Sequence, residues 1–158
     1  MPFNFLAVLV ASLSTLLVGF IWYNPKVFGT IWMKETGMTE EKAKQSNMAK
    51  VFGLTILFSI MFSLWLTNLV IHQTGAFGMV EGNENDAAYQ AFMQVHGNAF
   101  RTFKHGALHG FMSGIFIAFP IVAINSLFEQ KSWKYILITA GYWTISMMIM
   151  GGIICAWK

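Results

Sequence analysis

The chain has 158 residues, of which 56% are hydrophobic and only 11% charged, with a formal net charge of +3. A soluble domain carries about 25% charged residues, so too few remain here to cover a water-exposed surface without leaving large apolar patches bare. The small charge, with its lysines gathered in two loops, excludes a basic nucleic-acid-binding face. The single cysteine, Cys155, excludes an intrachain disulfide and a cysteine-based metal cluster.

The first element is an uncharged run over residues 3–22. No basic residue precedes it, which argues for a retained span rather than a cleaved signal peptide. The loop that follows carries Lys26, Lys34, Lys42, Lys44 and Lys50. Within it, Thr39 followed by Glu40 and Glu41 predicts a helix start that runs on into a second span over 51–71. In the second loop, residues 82–86 form a turn ending in a cap. After it, Tyr89, Phe92, His96, Ala99, Phe100 and Phe103 recur at helical spacing, with Gln90, Gln94, Asn98 and Arg101 on the other face. This predicts an amphipathic helix on the membrane surface or an extension of the third span, although Gly97 argues against one uninterrupted helix.

The third span is expected over 107–128, kinked by Pro120, which frees a carbonyl near Phe116. A short loop with Lys131 and Lys134 leads to the fourth, over 135–157, flanked by Trp133 and Trp157. Each run has the roughly 20 residues that a helix needs to cross about 30 Å of hydrocarbon. The expected fold is therefore all-α: one domain over 1–158, an integral membrane four-helix bundle with an extra amphipathic interfacial helix in the second loop. Seven of the ten basic residues lie in the first and third loops, so the positive-inside rule places these in the cytoplasm and both termini on the outer side.

Each span carries a stripe of small residues. These are Ala7, Ala11, Thr15 and Gly19; Thr55, Ser59, Ser63 and Thr67; Gly106, Gly110, Gly114 and Ala118; and Ala140, Thr144, Gly152 and Ala156. Packing in a bilayer depends on close backbone approach, so the stripes predict a tight bundle. The Gly-xxx-Gly-xxx-Gly run of the third span can serve intrachain packing or join two protomers. The hydroxyls of the second span contain no ionisable group, the usual mark of an ion route.

All four histidines fall on the predicted outer side. His105 and His109 have the i, i+4 spacing that lets two imidazoles share one metal ion. His72 or His96 can supply a third ligand, and Glu81, Glu84 or Asp86 a carboxylate; two facing histidines can also hold haem. The plainer reading is interfacial histidines bonded to water and headgroups. Met147, Met148 and Met150 suit Cu(I), but methionine is also an ordinary core filler. No P-loop, dinucleotide fingerprint, nucleophile elbow or catalytic carboxylate pair is present, and Glu129 is more simply a loop ion partner than a catalyst.

Several stretches occur together in an order that matters: residues 19–25 (Gly-Phe-Ile-Trp-Tyr-Asn-Pro), Phe28-Gly29, Trp32-Met33, residues 36–41, His105-Gly106, residues 125–129, residues 132–134, residues 141–143 and Met150-Gly151. In this order the chain resembles the small bacterial membrane proteins grouped as domain of unknown function 1761, over nearly its whole length. The resemblance implies four spans, a bacterial inner membrane location and no known activity. The long second loop and the histidines other than His105 are less typical of that family.

Trp22, Tyr23, Phe28 and Trp32, with Pro25 and Gly29 turning the chain, predict an interfacial platform. With Glu129, Trp133 and Lys134, it is the candidate surface for a lipid or protein partner. The expected function is a non-enzymatic accessory or interaction subunit, homo-oligomeric or part of a membrane complex, with no cofactor. The alternatives are a metal- or haem-binding membrane protein using the histidines, and a small homodimeric transporter.

Overall fold

The computed structural model describes residues 4–158; Phe3, where the first span was expected to begin, lies outside the described residues. No strand occurs among the described residues. Among the described residues, four helical stretches are long and apolar enough to cross a membrane. The first is α1, Phe5–Trp22, whose N-terminus is capped by the Asn4 side chain accepting from the Ala7 amide. Its 18 residues rise about 27 Å. Around the edge of the bundle, Leu17, Phe20, Trp65 and Phe116 point outward, where only lipid suits them.

Two short helices fill the first loop. α2, Gly29–Thr36, was not foreseen; Gly37 ends it in the left-handed conformation, with the Met38 amide returning to the Met33 carbonyl. α3, Glu40–Gln45, begins at Thr39, whose hydroxyl accepts from the Lys42 amide. The expected continuation into the second span fails. Ser46 and Asn47 are extended, and the Asn47 side chain opens a separate helix, α4, Met48–Val70, by accepting from the Lys50 amide. Serine and asparagine compete with helical hydrogen bonds and favour such breaks.

The second loop holds α5, Gln73–Met79, which was also unforeseen, and α6, Ala87–His96, capped by Asp86. The helical pattern read through Phe103 is cut after His96. Gly97 leaves the helix, and Phe100 adopts a left-handed φ of 61°. Thr102 then caps α7, Phe103–Ser113. A π-helical turn, Gly114–Ala118, joins α7 to α8, Phe119–Phe128. Pro120 sits in the first turn of α8, directly after this π turn. The kink expected at Pro120 thus takes the form of a widened turn before it, a recognised cause of helix bending. α9, Trp133–Ala156, is capped by Ser132 accepting from the Tyr135 amide.

α9 is the centre of the bundle, packing against α1, α4, α7 and α8. Leu66 and Val70 of α4 meet Met147, Met150 and Ile154 of α9 in the core. A Cβ added to Gly106 or Gly110 would overlap the carbonyl oxygens of Gly151 and Met147, and one on Gly114 would lie 2.5 Å from the Thr144 Cα. The glycine seam is therefore spent within the chain, against α9. Ala7, Ala11, Thr15, Ser59, Ser63 and Thr67 are buried, while Gly19 lies beside the Tyr142 ring, Ala118 packs partly against the core and Gly152 accommodates the Phe103 ring. Hydroxyls join α1 and α4: Thr15 Oγ1 and Ser59 Oγ are 3.0 Å apart, and Ser63 donates to the Val8 carbonyl at 3.2 Å. Such bonds have no competing water in lipid.

Candidate metal centre

α4 ends at Val70, and the chain turns at Ile71 and His72 into α5. The glycine seam holds the first two turns of α7 against α9, and there His105 and His109 stand one turn apart on one face. The two elements meet so that His72 Nε2 lies 2.9 Å from His105 Nε2. Ring centroids are 5.0 Å apart for His72 and His105, 5.1 Å for His72 and His109, and 4.5 Å for His105 and His109. One ligand nitrogen from each imidazole lies within 4.8 Å of the others. His96 is not in this group. It is exposed, its ring packs against Phe92 at 5.2 Å, and its carbonyl accepts from Gln73. Glu81, Glu84 and Asp86 are not in the group either, and Asp86 is used as the cap of α6.

Three further side chains secure the cluster, and the sequence reading did not assign them to it. Phe100 stacks on His105 at 5.0 Å and meets His72 edge-on at 5.9 Å. Arg101, expected on a polar helix face, is buried; its Nε donates to the Cys155 carbonyl at 2.9 Å and its Nη2 to the Trp157 carbonyl at 2.6 Å. The guanidinium thereby caps the C-terminal end of α9, where unpaired carbonyls gather negative partial charge. Gln73, also buried, donates to the carbonyls of His96 and Ala99 and ties α5 to the turn carrying Phe100. An arginine directly before the capping threonine of α7 was a usable signal for the anchor; Gln73 carries no such local signal.

The chemistry of three converging imidazoles is that of a transition-metal site. A tetrahedral ion with metal–nitrogen bonds of about 2.0–2.1 Å holds its ligand nitrogens about 3.3 Å apart. The spread here, from 2.9 Å to within 4.8 Å, brackets that value. Neutral imidazole suits zinc, copper and nickel. Haem fits less well, because the nitrogens of His72 and His105 are already in contact and leave no slot for a macrocycle between them.

At the opposite end of the bundle, the expected aromatic platform is largely turned inward. Trp22 donates to the Ile138 carbonyl at 3.0 Å and packs on Phe28 at 4.6 Å, while Tyr23 packs against Trp32 and Tyr142 at 5.2 and 5.3 Å. Burial, then the neighbouring Tyr142 and Tyr135, push the Tyr23 phenol well above its ordinary range. Gly29 is buried where a Cβ would overlap the Tyr23 carbonyl. Pro25, Glu129, Trp133 and Lys134 remain exposed. The Ser132 hydroxyl donates to the Glu35 carboxylate, so the first and third loops are joined at this end.

No curated protein and no solved structure matches the chain. Residues 6–155 match the family described as protein of unknown function (DUF1761), all four candidate spans falling essentially within the match. The chain belongs to that family.

Proposed function

We propose that this protein is a multi-pass metal-binding protein of the bacterial inner membrane, holding one zinc-like divalent ion through His72, His105 and His109. The observation that carries this reading is the convergence of three imidazole nitrogens within 4.8 Å, from two segments 33 residues apart. Facing histidines on one helix are common; a third brought in from another element, with a phenyl ring stacked on the cluster, is a constructed environment. The positive-inside bias puts this end of the bundle on the outer side of the membrane. Three protein ligands leave a fourth position for water or an exchangeable ligand. That supports an accessory role in receiving or presenting a metal ion, in place of a purely structural one.

The test is zinc binding by detergent-purified, chelator-stripped protein. One ion per chain is expected. Each of His72→Ala, His105→Ala and His109→Ala should weaken binding by well over about tenfold, since loss of a mere outer-shell partner already costs about 10- to 100-fold. His96→Ala should bind as the parent does. No zinc retained by the folded parent, or equal loss in His96→Ala, refutes the assignment.

A further inference from the structure

Beside the histidines, on the lipid-facing side of α7, lies an open groove of about 640 Å³. Lys104, Leu108 and Phe111 follow one another along it at helical spacing, all exposed, and Met148 of α9 forms its far wall. His105 and Phe100 also line it. The groove thus has two parts: a cationic mouth at the first turn of α7, and an apolar trough that descends about 10 Å along the helix between Lys104 and Phe111. Lys104 is the one charged residue among those lining it.

From this division of charge we propose that the groove is a binding site for an anionic phospholipid of the surrounding bilayer, its phosphate at Lys104 and one acyl chain along Leu108, Phe111 and Met148. The trough opens sideways toward lipid, so a bilayer molecule reaches it without leaving the membrane. A basic residue at the rim of an apolar trough attracts acidic headgroups selectively. The positive end of the α7 dipole acts in the same direction. The site stands apart from the metal reading, although it shares His105 with it.

Native mass spectrometry of delipidated protein, kept in chelator, tests this with phosphatidylglycerol and phosphatidylcholine of identical acyl chains. One phosphatidylglycerol per chain should be retained with about a fivefold preference, the effect of a single lysine beside an acidic headgroup. Lys104→Gln should erase the preference while leaving a weak, headgroup-blind adduct. Leu108→Trp, which fills the exposed trough without touching the bundle core, should reduce both lipids. His109→Ala should leave the preference intact, which separates this site from the metal centre. Equal retention of the two lipids by the parent, or an unchanged preference in Lys104→Gln, overturns the proposal.

Discussion

Gly106 of α7 and Gly151 of α9 meet backbone to backbone, each placed where a Cβ would overlap the carbonyl oxygen of the other. The contact does more than close the bundle. His105 precedes Gly106 and His109 precedes Gly110, so the depth at which α7 seats on α9 sets the height and rotation of both imidazoles. A seam made for packing therefore positions the candidate metal ligands.

Substituting this seam should damage fold and site together. Gly106→Ala or Gly110→Ala forces the helices apart and should cost at least the roughly 1–3 kcal/mol typical of overpacking. Gly53 has open space around it on α4, so Gly53→Ala should be neutral or slightly stabilising, by up to about 1 kcal/mol. Thermal unfolding in detergent compares the three. Tolerance of Gly110→Ala equal to that of Gly53→Ala would mean that α7 does not approach α9 this closely.

Arg101 is a buried charge with two carbonyl acceptors at the end of α9. Truncation to Ala should destabilise the protein by about 3 kcal/mol, because hydrogen bonds to charged groups contribute about 1.5–3 kcal/mol each. Hydrogen exchange should then rise first in residues 153–158 and in the turn over 97–102. Exchange that stays unchanged there would place the guanidinium elsewhere.

Phe100 adopts a left-handed φ of 61°, a conformation that costs a residue with a Cβ about 1–2 kcal/mol. Phe100→Gly relieves that cost but removes the ring stacked on His105. The variant should retain or gain stability while holding zinc less tightly. Phe100→Ala, which keeps the strain and loses the ring, should lose both.

Protons and metal compete for the same imidazole nitrogens, so zinc loading should fall as the pH is lowered. Charged imidazolium cannot bind the ion, whereas raising the pH frees the lone pair. Zinc retained near neutral pH should therefore be released on acidification and rebind on return. Loading that does not vary with pH would argue that histidines are not the ligands.

Sidedness has its own test. Cysteines placed at Lys44 and Lys131 should resist an impermeant thiol reagent in intact cells, and one placed at Glu84 should react. All three positions are exposed or partly so, and the native Cys155 is buried. The opposite pattern would turn the bundle over and put the histidines in the cytoplasm.

The four spans were legible because a run of about twenty uncharged apolar residues has few other uses. The caps at Thr39 and Asp86 were legible for a local reason, a side-chain oxygen placed before a helical run. Breaks were harder. The apolar spacing from Tyr89 to Phe103 continues across a turn that only tertiary anchoring by Arg101 and Gln73 explains. Of the candidate centre, the His105 and His109 pair could be read from their spacing alone. The third partner could not: His72 and His96 were equivalent in sequence, and the choice between them depends on where α4 ends against α7. The inward packing of Trp22 and Tyr23 was hidden for the same reason, since aromatic residues at a span end suit headgroups and helix contacts equally well.

The π turn at Gly114–Ala118 shifts the angular phase of everything beyond it. An unbroken helix that turns Gly114 toward α9 would bring Ile121, seven residues on, to the same side and send Ala123, nine on, half a turn away. Instead Ile121 and Ile124 are 56% and 54% exposed, while Ala123 and Ser126 are 8% and 3% exposed. The widened turn lets one continuous rod present glycines to its neighbour in the upper half and alanine and serine in the lower, with the isoleucines kept for lipid. The number of residues in that stretch thus carries as much information as their identity, and losing a single one would rotate the lower half by about 100°.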